Sequence, residues 1–284
     1  MSTWVWVDGN LTTEQEATVT ALDHGVTVGD GIFETAKVVD GTVFAVTRHL
    51  ARLRRSAELI GLELPWSDAT LSGVCSDTIA AAAADPANAA DGVGRVRLTV
   101  TGGPGPLGSD RADVLPTLIV AASPAGAWPS PTAVATVEWT RNERSAVAGA
   151  KTTSYAENVV ALAEAHRRDA SEAILANTVG ALCEGTGSNV FLEVDGALCT
   201  PSLDTGCLAG ITRALVTEVV DVVERDDLTL EDLRSTAEAF LTSSTRDVHP
   251  IGRADDVDLP EAPGPLTTAA AEAFAALEAR TLDP

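Results

Sequence analysis

Residues 149–158 read GAKTTSYAEN. Small residues precede Lys151, and a helical pattern begins just after it, at Glu157. The amine is therefore expected at an element junction beside Tyr155 and Asn158, held but reachable. That setting suits a lysine that condenses with a carbonyl. A capped turn carrying a solvent lysine would read the same way. Composition adds weight: of 19 basic residues only Lys37 and Lys151 are lysine, and the rest are arginine. Arginine stays protonated and is no amine nucleophile, whereas a desolvated lysine can lose its proton and form a Schiff base. Two lysines surviving by chance is the plain alternative, and the rest of the chain has to decide.

The chain has 284 residues, 45% of them apolar, which suits one large domain or two modest ones with their own cores. A net charge of -22 excludes a basic stripe for nucleic acid or an anionic membrane surface. No apolar run is long enough to span a bilayer, and the start, Met1-Ser2-Thr3-Trp4, lacks the features of a signal peptide. Cys75, Cys183, Cys199 and Cys207 form no CxxC pair. Free thiols, no metal site and a cytoplasmic location are the expectations.

Periodicity predicts a strand at 4–7 with a turn at Asp8-Gly9, then strands at 33–39 and 43–46 around Asp40-Gly41. It predicts an amphipathic helix at 47–60 capped by Thr47, and an Ala-rich helix at 77–84 ended by Asp85-Pro86. A strand at 94–101 puts Arg95, Arg97, Thr99 and Thr101 on one face, ahead of a Gly/Pro loop at 102–108. A short strand follows at 116–122. The proline-rich 123–131 reads as part of a linker. In the second half, strands are expected at 133–138, 172–176, 188–194 and 239–243. Helices are expected at 157–169, at 211–224 and at the Ala-rich C-terminus. The fold class is α+β in two domains: 1–118, a linker at 119–131, and 132–284 carrying Lys151.

Three further patches fit the same chemistry. In EGTGSNVF, 184–191, Glu184 precedes a Gly-rich turn and could pair with a protonated ring nitrogen. In GCLAGITR, 206–213, a glycine opens a helix at Ile211-Thr212, whose backbone N–H groups would seat an anion. In TSSTR, 242–246, hydroxyls and an arginine end an apolar strand. Singly, each is an ordinary turn, cap or polar loop. Together they ask for a ligand with an aldehyde, a ring nitrogen and a phosphate, and pyridoxal 5'-phosphate has all three.

The chain resembles the fold-type IV, or class IV, pyridoxal-phosphate aminotransferases: D-amino acid transaminase, branched-chain aminotransferase and aminodeoxychorismate lyase. DHGVTVGDGIFETAKV (23–38), HLARLRRSAELIG (49–61), the lysine segment, EGTGSNVF, LAGITR and LTSSTRDVHPI carry the resemblance, in that order along nearly the whole chain. It implies that Lys151 is the Schiff-base lysine and proton shuttle, with Tyr155 beside it. Glu184 is implied as the acid on the pyridine nitrogen and Arg52 as the phosphate-binding arginine. Ile211 and Thr212 match the phosphate seat at a helix end, Ser243 and Ser244 match a second hydroxyl seat, and Asn189 joins the cofactor set. Phe33 matches an aromatic on the substrate side, while Lys37 reads as structural.

Known D-amino acid transaminases hold the substrate carboxylate with an arginine and a histidine in the loop that here reads TGGPGPLGSD, 101–110. A replacement cation is needed, and Arg97 is the candidate, able to bind a carboxylate through two N–H groups. An exposed strand arginine paired with an acid is its alternative. His24, Arg246 and Arg144 are weaker candidates. The resemblance implies amino transfer from a D-amino acid, with (R)-primary amines as a further donor class, to a 2-keto acid by a ping-pong mechanism. Aminodeoxychorismate lyase and branched-chain L-amino acid aminotransferase are the alternatives within the family. A cofactor-free binding protein, or a hydrolase built on Cys183, lies outside it. A homodimer is implied too, with small-molecule substrates and neither nucleic acid nor membrane as partner.

Overall fold

A computed structural model describes residues 1–284 and divides the chain into two compact units. The first comprises 1–127, 150–155 and Asp283; the second comprises 128–149, 156–282 and Pro284. The first unit contains β1 (Trp4–Val7), β2 (Asn10–Thr13), α1 (His24–Thr27), β3 (Gly31–Val39), β4 (Thr42–Val43), α2 (Val46–Ile60), α3 (Asp68–Ala84), β5 (Arg95–Thr101) and β6 (Thr117–Ser123).

Its six strands form one antiparallel sheet in the order β2-β1-β6-β5-β3-β4. Side chains alternate across a strand, so Ile32, Ala36, Val38, Val96, Leu98, Val100, Leu118, Val120 and Ala122 share the face that buries against the helices. There they meet Leu50, Leu53, Leu71 and Ile79. The other face of β3 and β5 carries Phe33, Arg95, Arg97, Thr99 and Thr101, with Phe33 opposite Thr99 and Thr35 opposite Arg97.

The second unit contains β7 (Thr132–Arg141), α4 (Ala156–Arg167), β8 (Glu172–Asn177), β9 (Leu182–Gly185), β10 (Asn189–Val194), β11 (Ala197–Pro201), α5 (Ile211–Val219), β12 (Val223–Arg225), α6 (Leu230–Ser235), β13 (Ala239–Ser243), β14 (Asp247–Ala254), β15 (Val257–Asp258) and α7 (Pro265–Arg280). Its mixed sheet runs β12-β11-β10-β13-β14-β7-β8-β9, with β15 paired to β14. Ala161 and Ala165 of α4 pack on Ala135, Val137, Ala173 and Leu175 of β7 and β8. Alanine on both sides lets helix and sheet approach closely.

Several expectations are corrected. Residues 119–123 are no linker: they lie in β6, hydrogen-bonded to both β1 and β5, and the unit boundary falls after Ala127. Lys151 lies in the first unit, because residues 150–155 bond along the start of β3. Phe33 N–H donates to the Lys151 carbonyl, and Thr153 N–H to that of Gly31. Thr47 does not cap α2. Ala45 holds the N-cap in the left-handed region at φ 55°, and the Thr47 amide and hydroxyl bind Asp283. The 43–46 strand shrinks to β4, since the chain turns into α2 at Val46. The 77–84 helix starts nine residues earlier, at Asp68, with the Ser67 hydroxyl accepting from Thr70 N–H. α5 stops at Val219, and 223–225 pairs in parallel with β11 instead.

Candidate active site

In the first unit Lys151 is half-buried, and its backbone is fixed on both sides. Its N–H donates to Ser56 Oγ of α2 at 3.0 Å, and its carbonyl accepts from Phe33 at 3.0 Å. Its Nζ donates to Tyr155 Oη at 3.4 Å and stands 4.4 Å from the Phe33 ring centroid. The rings of Phe33 and Tyr155 meet edge to face, 5.1 Å apart. The amine thus has two aromatic walls and one phenolic partner.

Arg97 comes from β5 to the same ring, with its guanidinium carbon 3.6 Å from the Phe33 centroid. It is exposed, it donates to Thr99 Oγ1 at 3.4 Å, and the group that acts on its charge is the Tyr155 phenol rather than a carboxylate. The surface ion pair that was the alternative for Arg97 is therefore absent.

Arg52, Glu34 and His49 are all buried, between β3 and α2. Arg52 Nε and Nη2 donate to the two Glu34 oxygens at 2.8 and 2.7 Å, and His49 Nδ1 lies 2.7 Å from Glu34 Oε2. Burial pushes the Glu34 carboxyl up, but the charge and hydrogen bonds of Arg52, helped by His49, outweigh it and hold the group at about 2. Burial pushes His49 below its ordinary value, which favours a neutral ring donating Nδ1–H to Glu34. Sequence reasoning missed Glu34 and His49. Their signal was the even position of Glu34 in an otherwise apolar core face and the spacing of His49 and Arg52 on one helix face.

His24 and Arg111 hold the 102–116 loop. The buried His24 bonds the Pro106 carbonyl through Nε2 at 2.9 Å, so it is committed to the fold rather than to a substrate. Arg111, the one cation of that loop, makes a two-pronged pair with Asp30 at 2.7 and 2.6 Å.

In the second unit Glu184, on β9, is buried and held at both oxygens. Oε2 accepts from Leu208 N–H at 2.9 Å, and Arg141 Nε approaches Oε1 at 3.0 Å without hydrogen-bond alignment. Arg141 is itself oriented by Asn158 Oδ1 at 3.0 Å, and Asn158 Nδ2 donates to the Thr186 carbonyl. An adjacent guanidinium and a backbone donor fix the orientation of the carboxylate.

α5 begins at Ile211 behind Gly210, and no side chain caps its first turn. Asn189 Nδ2 donates to the Leu208 carbonyl, and a Cβ at position 210 would collide with its Oδ1, so only glycine fits there. Asn189 therefore shapes the helix entry rather than offering its amide outward. Opposite it in register, Thr242 Oγ1 is buried with no hydrogen-bond partner. Thr212 is buried in the first turn, Ser244 is half-buried, and Ser243 Oγ accepts from Arg246 N–H at 3.2 Å.

Arg246 is spent inside the second unit. It donates to Ser171 Oγ and the Ser171 carbonyl, lies against His249 Nδ1, and stacks 3.6 Å from the Trp128 centroid. As a carboxylate ligand it is corrected. Arg144 pairs with Glu143 at 3.6 Å on the surface. Burial pushes the Cys183 thiol up, which makes it a poor nucleophile.

These donor sets fit pyridoxal phosphate. In the first unit an aromatic-walled amine suits the aldehyde; in the second a buried carboxylate suits a protonated ring nitrogen. An uncapped helix start with an orphaned buried hydroxyl beside it suits the phosphate. No group of His, Cys, Asp and Glu with metal-holding geometry is present, and no helix is long and apolar enough to cross a membrane.

Comparison with known proteins agrees. The family described as amino-transferase class IV matches residues 31–254. The D-alanine aminotransferase of Listeria innocua is 31% identical over 283 residues, covering 93% of this chain and 92% of that relative. The aminodeoxychorismate lyase of Bacillus subtilis is 27% identical, covering 93% of this chain and 91% of its own length. The crystal structure of a branched-chain aminotransferase from Thermoproteus uzoniensis with norvaline matches at a TM-score of 0.85 and 30% identity, covering 97% of this chain and 94% of that one. The α+β fold-type IV architecture implied by the motifs is thus the fold observed. The chain belongs to the class IV aminotransferases, and it is a pyridoxal-phosphate-dependent aminotransferase.

Proposed function

We propose that this aminotransferase moves an amino group from a D-amino acid to a 2-keto acid by a ping-pong mechanism, with (R)-primary amines as a further donor class. The observation that carries it is the placement of Arg97: a guanidinium without a carboxylate partner, on the ring that also touches Lys151. The loop cations that could compete for a carboxylate are spoken for, Arg111 by Asp30 and His24 by Pro106. A D-alanine aminotransferase stands among the chain's relatives, beside branched-chain and lyase enzymes.

Pyridoxal phosphate, when bound, supplies an aldehyde that condenses with amines and a ring that takes up the electron pair of a broken Cα–H bond. The residues do the rest. Arg97 takes the substrate carboxylate in a two-pronged bond and sets the α-carbon's orientation. Lys151 Nζ, steered by Tyr155 Oη, takes the α-proton as general base and returns it as general acid. Glu184, oriented by Arg141 and Leu208 N–H, would accept a hydrogen bond from the protonated ring nitrogen. In the second unit Ile211 and Thr212 would donate to the phosphate from the start of α5, with Ser243 and Ser244 as the second hydroxyl seat; the family resemblance adds Arg52 of the first unit as a phosphate-binding arginine. Phe33 excludes water from the amine. The keto acid acceptor uses the same residues in reverse.

The test is a donor panel of D-alanine, L-leucine and (R)-1-phenylethylamine with 2-oxoglutarate. D-alanine should turn over fastest. Turnover of L-leucine alone overturns the reading in favour of a branched-chain enzyme, and pyruvate release from aminodeoxychorismate without an acceptor overturns it in favour of a lyase.

A further inference from the structure

A second buried carboxylate of the second unit, Glu172, has no part in the chemistry proposed above. It opens β8 in the row of side chains that continues through Ile174 into the apolar core. A carboxylate buried there is costly unless donors surround it. Arg246 Nη2 lies 3.9 Å away, beyond hydrogen-bond reach. The donors come instead from the turn between β9 and β10, and from the neighbouring Ala173 N–H at 3.3 Å. Glu172 Oε1 accepts from the Thr186 N–H at 3.0 Å and from the Thr186 hydroxyl. Its Oε2 accepts from Ser188 Oγ at 3.0 Å.

The turn is built around this side chain. A Cβ at Gly185 would meet Ser188 Oγ and come within 3.0 Å of Glu172 Cγ, so glycine is what lets the carboxylate reach beneath the turn. Gly185 follows Glu184 directly. From Thr186 a second route leads to the same acid. The Thr186 carbonyl accepts from Asn158 Nδ2, Asn158 Oδ1 accepts from Arg141 Nη1 at 3.0 Å, and Arg141 Nε stands 3.0 Å from Glu184 Oε1. Glu172, Thr186, Asn158 and Glu184 are all buried, so little solvent is at hand to replace a lost partner. Glu172 is thereby tied to Glu184 twice, through the backbone of the turn and through the side chains of Asn158 and Arg141.

We infer that Glu172 is a positioning residue that aims the Glu184 carboxylate at the ring nitrogen of the bound cofactor. The inference rests on the reading of Glu184 as the ring-nitrogen acid. It concerns how that carboxylate is aimed, not how many partners it has. Glu172 itself need not touch the ligand.

The test uses holoenzyme reconstituted with pyridoxal phosphate labelled with nitrogen-15 in the ring, whose resonance reports the hydrogen bond at that nitrogen. A carboxylate accepts at both oxygens, whereas the amide of E172Q turns an NH2 towards Thr186 or Ser188. E172Q should move the ring resonance in the same direction as E184Q and by less. It should lower kcat about tenfold and leave cofactor affinity within about threefold. N158A, which cuts the route at its middle, should move the resonance likewise, and E172Q on top of N158A should add little. A lower melting temperature in E172Q with the parent's ring resonance and kcat would make Glu172 merely structural and overturn the inference. Full additivity of E172Q and N158A overturns it too, and both results leave Glu184 as the ring-nitrogen acid. If E184Q itself leaves the resonance unmoved, the reading of Glu184 fails, and the inference with it. Should E172Q fail to fold, T186V, which removes one hydroxyl donor and keeps the backbone one, carries the same comparison.

Discussion

The guanidinium of Arg97 rests over the ring of Phe33, 3.6 Å from its centroid, on the face of the β3–β5 sheet that points away from the core. The two residues are diagonal neighbours, since Arg97 sits opposite Thr35 in the ladder. A ring beneath a guanidinium orients it without consuming its N–H donors. Replacing Arg97 with Met should raise KM for D-alanine and for 2-oxoglutarate by at least tenfold, about 1.4 kcal/mol or more of carboxylate binding. Turnover of (R)-1-phenylethylamine should change less than twofold. Equal loss on all three substrates would show that Arg97 is structural.

Glu184 should be needed for rate rather than for cofactor retention. E184Q keeps the shape but loses the charge, so the bonded ring nitrogen no longer has an anionic partner. The expected result is a fall in kcat of about a hundredfold, on the order of 3 kcal/mol. Affinity for the cofactor should stay within a few-fold. Steady-state kinetics and equilibrium dialysis on the same preparation check both halves.

Gly210 is predicted to tolerate no side chain. A Cβ there would overlap Asn189 Oδ1, so G210A must displace Asn189 or the first turn of α5. Overpacking of this kind costs about 1–3 kcal/mol. Thermal melts should register it, and pyridoxal phosphate affinity should fall alongside. At Gly108 a Cβ would meet nothing within 4 Å, and its φ lies outside the left-handed region, so G108A is the matched control, expected to stay within about 0.5 kcal/mol.

Acid should unfold the protein in two stages that trace to one cluster. Burial holds His49 below its ordinary 6.5, so protons favour the unfolded chain as pH falls through that value, and stability starts to drop. Glu34 sits at about 2 when folded against 4.5 ordinarily. Its contribution is complete above 4.5 and is lost as pH falls from there towards 2, on the order of 3 kcal/mol in all. Urea midpoints measured from about pH 7 down to about pH 3 should show both stages. H49N should remove the upper one and leave the lower. A flat profile across the upper stage in the parent protein would show that His49 is already as free to protonate folded as unfolded.

Much of the local structure could be read from the letters. The alternation in 94–101 put Arg97, Thr99 and Thr101 on one face, and the strand, the face and the following loop all stand. The glycine before Ile211-Thr212 marked a helix start, and α5 begins there. Both are short-range effects, set by steric alternation and by backbone groups that need partners. Helix caps were less legible: Thr47 has the chemistry of an N-cap, yet a tertiary bond to Asp283 takes it and Ala45 holds the position.

Which charges were already committed could not be read at all. His24, Arg246 and Arg97 look alike in the sequence as polar residues near a motif. Only the folded chain gives the first to Pro106, the second to Ser171 and His249, and leaves the third without a carboxylate partner. The membership of Lys151 in the first unit was hidden for the same reason, because backbone bonds to Gly31 and Phe33 join positions more than a hundred residues apart. The order of motifs determined the chemistry by itself, since a lysine, an acid and an anion seat are each defined by residue type and immediate neighbours. Tertiary structure alone decided which polar groups are spent on the fold, because that depends on long-range contacts whose partners local sequence does not specify.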